Sequence, residues 1–136
     1  MATGAKSFSY AVSLDHDGAA RSDRGGLPIP ADEAWTPEHL VLAGLASCTL
    51  TSLRYHAKRD GIDVTGVAEA TGEVTARDTD GRYAFVGIEV DLDVTLDPTP
   101  PSVRELIAKA ERDCFVGASL TANPRYRWHV NGEELA

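Results

Sequence analysis

Cys48 and Cys114 are the residues of this sequence best suited to chemistry, because a thiolate is both a nucleophile and a redox centre. A cysteine inside a buried helix is otherwise a small hydrophobe. Three features favour a chemical role. The neighbours Ala43, Gly44, Ala46 and Ser47 are small and leave room for something to approach the Cys48 sulfur. A second thiol exists, and it follows an amphipathic stretch instead of lying in a strand core. A nucleophilic cysteine needs a cation or strong donors beside it, and Arg21 and Arg24, in the segment before Pro37, are the candidates. Either arginine reads equally as a solvated surface charge. Glu38 is a first-turn carboxylate, worth about 0.3–1 kcal/mol through the helix dipole. It precedes Cys48 by ten residues, roughly 15 Å along a helix axis. It therefore cannot touch the sulfur of its own chain, and any role in the same reaction requires a dimer in which it positions an arginine. The histidines His16, His39, His56 and His129 are scattered, and none is close enough to Cys48 in sequence to predict a Cys–His dyad. Two cysteines without a histidine pair at ligand spacing do not make a zinc site.

The elements that must hold these residues are legible from pattern. Phe8, Tyr10, Val12 and Leu14 alternate with polar positions and predict a half-buried strand. Asp15-His16-Asp17-Gly18 predicts a turn, and Ala19 to Asp23 a returning strand. Gly25, Gly26, Pro28 and Pro30 mark a loop. Thr36-Pro37-Glu38 carries a cap, a first-position proline and a first-turn acid, which predicts a helix running to Asp60 and stopped by Gly61. Its first half, Leu40 to Cys48, is apolar nearly all round and is expected to be buried on most faces. Val67–Ala76 and Tyr83–Leu96 predict a hairpin around Asp78-Thr79-Asp80-Gly81. In its second arm Ile88, Val90, Leu92, Val94 and Leu96 alternate with Glu89, Asp91, Asp93, Thr95 and Asp97, so one face is core and the other acidic and wet. A second helix is expected from Pro101-Ser102 towards Cys114, and Tyr126–Val130 reads as a closing strand. The class is α+β.

Composition bounds the rest. A chain of 136 residues fits one domain, taken as 1–136. Thirteen Lys and Arg against 21 Asp and Glu give a net charge of −8, which argues against a nucleic-acid partner or an anionic membrane surface. The opening Met1 to Ser9 lacks the apolar core of a signal peptide. The longest apolar run, Leu40 to Ala46, falls far short of the roughly 20 residues of a membrane span. A cytoplasmic protein is expected, where paired thiols are catalytic or metal-binding more often than structural.

With those residues placed, the chain resembles the OsmC/Ohr family of thiol-dependent peroxidases. Pro37-Glu38-His39-Leu40 through Ser47-Cys48 looks like the family's Pro-Glu-x-Leu segment followed by its reactive cysteine, and Ala110-Glu111-Arg112-Asp113-Cys114 looks like its second motif. The element order agrees over nearly the whole chain. The resemblance implies antiparallel sheets wrapped around a long buried helix, in an intertwined homodimer with sites at the interface. It implies that Cys48 is the peroxidatic thiolate and Cys114 the resolving thiol. It further implies that Glu38 holds the catalytic arginine, Arg24 as first choice and Arg21 as second. No cofactor is implied beyond an external thiol or dithiol reductant, and the role is in the oxidative stress response. This chain departs from the family pattern at Phe115-Val116, where many members have Cys-Pro. The apolar residues Leu40, Leu45, Phe115 and Val116 would favour organic hydroperoxides over hydrogen peroxide. Two rival readings stand beside this one: a module binding a small hydrophobic ligand with inert cysteines, and a thiol enzyme of another class using Cys48 alone.

Overall fold

The computed structural model describes residues 4–135, so the reading of Met1–Ser9 falls in part outside the described residues. The chain forms two compact units that meet in sequence at Pro37. The first holds β1 (Val12–Leu14) and β2 (Ala20–Ser22), paired antiparallel with Val12 opposite Ser22. The expected strand from Phe8 is thus shortened to three residues, and it is not half-buried: Val12 and Leu14 are each 71% exposed. A two-stranded ribbon has no second layer of its own to cover a face.

The second unit holds α1 (Pro37–Arg59), β3 (Asp63–Ala76), β4 (Tyr83–Asp97), α2 (Val103–Arg112), α3 (Phe115–Ser119), β5 (Arg125–Val130) and β6 (Glu133–Glu134). The order β3-β4-β5-β6 makes one four-stranded sheet. The long hairpin forms as expected, from Asp63 opposite Asp97 to Ala76 opposite Tyr83, with an irregularity at Glu73/Val74. Arg77 and Asp80 close its turn with an ion pair of 2.6 Å. One pairing differs from the expected antiparallel sheets, because β5 runs parallel to β4, with Leu92 opposite Trp128. Parallel neighbours need a crossover, and α2 and α3 supply it.

The alternation in β4 is realised in full. Ile88, Val90, Leu92, Val94 and Leu96 are buried, and their acidic neighbours are exposed. They form one core with Leu45, Leu53 and Ala57 of α1, Leu106, Ile107 and Ala110 of α2, and Cys114, Trp128 and Val130. Helix α2 begins where the capping pattern predicts, with Ser102 Oγ accepting from Glu105 N at 3.3 Å. Helix α1 ends at Arg59, and Gly61 takes φ +71°, a conformation that glycine adopts without strain.

The burial of α1 departs from expectation. Only the stripe Leu45, Thr49, Ser52, Leu53 and Ala57 is buried, while Leu40, Ala43 and Ser47 are exposed. Those buried positions recur at helical spacing because a single sheet covers a single face. The small residues that make the first half look apolar all round lie on the uncovered side.

Gly66 is where β3 approaches β4 most closely. A Cβ there would lie 2.5 Å from the Asp93 carbonyl oxygen and 2.9 Å from Val94 Cα. Both obstacles are backbone, so relief requires a strand to shift. Gly66→Ala is expected to destabilise the protein by about 1–3 kcal/mol, read as a lower denaturant midpoint in urea unfolding.

Candidate active site

Both cysteines are in the thiol form and belong to different elements. Cys48 is half-buried on α1, and Cys114, fully buried, is the cap residue between α2 and α3. The fold brings the two sulfurs together. The Cys48 thiol is pushed above its ordinary range, first by burial and then by the adjacent Cys114 thiol, which contributes both a hydrogen bond and charge repulsion. The backbone N–H groups of Val116 and Phe115 act in the opposite direction, because they hydrogen-bond the thiolate and favour it.

Two side chains and a glycine surround Cys114. Thr49 donates its hydroxyl proton to the Leu45 carbonyl at 2.9 Å, and its Oγ1 lies 3.5 Å from Cys114 Sγ. With the threonine proton committed to the carbonyl, the Cys114 S–H is the donor in that second contact. Gly117 N donates to Cys114 Sγ at 3.4 Å. The Tyr126 hydroxyl lies within hydrogen-bonding reach of Thr49 and Cys114, and burial raises its phenol to about 12. It therefore stays protonated and can donate a hydrogen bond at neutral pH. A Cβ at Gly117 would sit 3.0 Å from that hydroxyl and 3.4 Å from Cys114 Sγ, so the bare glycine is what lets the strand tyrosine reach the sulfur. Tyr126 in turn stacks on Trp128, whose indole N–H donates to Glu111 Oε2 at 2.9 Å.

Of the remaining expected site residues, Glu38 lies exposed in the first turn of α1, far along that helix from Cys48. Arg21 forms an ion pair with Asp15 at 2.8 Å. The guanidinium of Arg24 lies over the Tyr10 ring at 5.2 Å, and among the described residues Arg24 makes no ion pair. Of the four apolar lining residues, Leu45 is buried, Val116 half-buried, and Leu40 and Phe115 exposed.

Thr49, Tyr126 and Gly117 are absent from the expected site. Thr49 could have been found from its place four residues after Leu45 and beside Cys48. Tyr126 carried no local signal, because it reaches the sulfurs only through the parallel pairing of β5 with β4. Elsewhere, a groove of about 460 Å³ lined by residues such as Glu73, Ile88, Glu89, Asn123 and Arg125 contains neither cysteine. Among the described residues no His, Cys, Asp or Glu cluster could hold a metal ion, and no helix is long and apolar enough to cross a membrane.

The family profile described as OsmC-like protein matches residues 30–129, a span that includes both thiols, every element from α1 to α3 and β5 up to His129. The chain belongs to the OsmC family. The OsmC fold is equally plain in solved structures. The organic hydroperoxide resistance protein OhrB of Bacillus subtilis is 23% identical, with 91% of this chain and 98% of that one covered at a TM-score of 0.59. An organic hydroperoxide resistance protein OsmC from Legionella pneumophila is 20% identical, with 90% and 96% covered at 0.60. An OsmC-like protein of unknown function from Vibrio cholerae is 16% identical, with 91% and 99% covered at 0.67. These identities carry the OsmC fold and not the chemistry. No curated protein matches the chain.

Proposed function

We propose that this protein is a thiol-dependent peroxidase that reduces organic hydroperoxides through a two-cysteine cycle. The observation that carries the reading is the meeting of Cys48 and Cys114, two reduced thiols brought side by side from separate helices. In the cycle the Cys48 thiolate attacks the terminal peroxide oxygen. The O–O bond breaks, the sulfur becomes a sulfenic acid, and the alkoxide leaves as an alcohol after protonation. The Cys114 thiol then attacks the Cys48 sulfur, forming a disulfide and releasing water. An external dithiol reduces that disulfide and restores both thiols. Donors from Phe115 and Val116 support the thiolate, and the leaving oxygen needs positive charge, a task assigned to Arg24 with Glu38 orienting it. Glu38 is too far along α1 to serve its own Cys48, so the reading entails a homodimer, which would also cover the exposed side of α1. The chain shares its fold with proteins named for organic hydroperoxide resistance, and the proposal extends that substrate class to it.

Cumene hydroperoxide added to reduced protein tests the reading. Both thiols should disappear with formation of one disulfide within the chain, and Cys114→Ser should halt the reaction at the Cys48 sulfenic acid. Thiols that stay fully titratable would overturn it.

A further inference from the structure

The two thiol-bearing elements are tied together a second time, away from the sulfurs. His56 lies two helical turns beyond Cys48 on α1, and its Nε2 is 2.7 Å from Oδ2 of Asp113, the residue that immediately precedes Cys114. The histidine side chain is only 11% exposed. Arg112 grips the same carboxylate, with Nε to Oδ1 at 2.9 Å and Nη2 to Oδ2 at 3.0 Å. That guanidinium, aided by His56, holds the Asp113 carboxyl down at about 2. The carboxylate is therefore ionised at neutral pH and can only accept, so the hydrogen lies on His56 Nε2.

Asp113 also caps α2, through its N–H to the Lys109 carbonyl at 3.0 Å. The contact thus fixes the end of α2 against α1 at the residue next to Cys114. We propose that His56 is a positioning residue: by holding Asp113 it fixes Cys114 beside Cys48 and so raises the effective concentration of the resolving thiol. The inference rests on the two-cysteine reading of the site. Its physical basis is pre-organisation. Closing the disulfide requires Cys114 Sγ to leave the Gly117 N–H and bond to the Cys48 sulfur. If residue 113 is already fixed, only the cysteine side chain and the start of α3 must reorient. In a redox buffer the step joins the two sulfurs and passes two electrons and two protons to oxidised glutathione, giving two reduced glutathiones; in turnover the Cys114 sulfur displaces hydroxide from the Cys48 sulfenic acid, and the hydroxide leaves as water with the Cys114 proton.

Equilibration of the protein in glutathione redox buffers, read by counting intrachain Cys48–Cys114 disulfide, tests this without any peroxide. A hydrogen bond to a charged group supports an effect of roughly tenfold. His56→Leu should lower the effective concentration of Cys114 by about that factor, and His56→Gln, whose amide can still donate to Asp113, should recover most of it. Asp113→Ala keeps the histidine and removes its acceptor, and it should match His56→Leu even if the leucine variant folds poorly. In cumene hydroperoxide, His56→Leu should form the Cys48 sulfenic acid at the wild-type rate while passing more of it on to sulfinic acid. Equal disulfide equilibria in wild type, His56→Leu and Asp113→Ala would overturn the proposal, as would a wild type that forms no intrachain disulfide in any buffer. A wild type that forms the disulfide but leaves hydroperoxide untouched would remove the peroxidase reading alone, and the glutathione equilibria would still decide the role of His56.

Discussion

Cys48→Ser is expected to reduce hydroperoxide turnover by on the order of 10³-fold or more, since in the proposed cycle Cys48 forms the covalent intermediate. The alcohol that replaces the thiol is not ionised near neutral pH. Turnover followed by loss of cumene hydroperoxide in the presence of a dithiol measures the effect. Unfolding in urea should stay close to wild type, because the substitution is nearly isosteric and the position is half-buried. Turnover retained within tenfold of wild type would mean that the chemistry is not carried by this sulfur. The wild-type protein should also show a turnover rate that rises with pH. Burial and the neighbouring Cys114 push the Cys48 thiol upward, so the thiolate fraction grows as pH increases towards that raised value.

The second large effect concerns the positive charge. Around Cys48 the groups that favour the thiolate are two backbone N–H donors, and the dominant influences oppose it. A reaction proceeding at neutral pH therefore needs a guanidinium from elsewhere. Arg21 is already engaged with Asp15, whereas Arg24 lies over the face of Tyr10 and makes no ion pair among the described residues. Arg24→Ala should lower turnover at pH 7 by about 10²–10³-fold, the usual cost of losing a pre-organised charge donor. The pH sign is specific. A nearby cation lowers the thiol pKa, so removing it shifts the rising limb of the pH–rate profile to higher pH and returns part of the lost rate in alkaline buffer. Arg24→Lys keeps the charge without the planar fork and should fall between the two. If Arg24→Ala keeps wild-type turnover and Arg21→Ala does not, the assignment moves to Arg21.

Sequence pattern revealed most of the second unit because its signals are local. The apolar alternation from Ile88 to Leu96 needs only a two-residue period, and Pro37, Ser102 and Gly61 mark helix ends through chemistry within one turn. The first unit was less legible. Phe8, Tyr10, Val12 and Leu14 have strand periodicity, but periodicity records what a face could bury, and these side chains remain largely exposed. The same reasoning overestimated the burial of α1, where Ala43 and Ser47 are compatible with a core and yet lie outside it. Both thiols could be singled out from sequence, as could the small residues beside Cys48. Their surroundings could not. Tyr126 depends on a parallel strand pairing, Gly117 on a clearance of ångströms, and the grip of His56 on Asp113 on a contact between residues far apart in the chain.

The seam between β4 and β5 also orders events during synthesis. Its partners, Glu89 with Arg125 through Val94 with Val130, are separated by the entire crossover. Cys48 leaves the ribosome well before Tyr126, and until β5 docks, the β3–β4 hairpin has a bare edge and Cys114 lacks the Tyr126 hydroxyl beside it. A nascent chain therefore displays Cys48 before the surroundings of Cys114 are complete. On the two-cysteine reading, an oxidant met during translation finds Cys48 before its resolving site is complete, and the closing strand is what ends that exposure to over-oxidation.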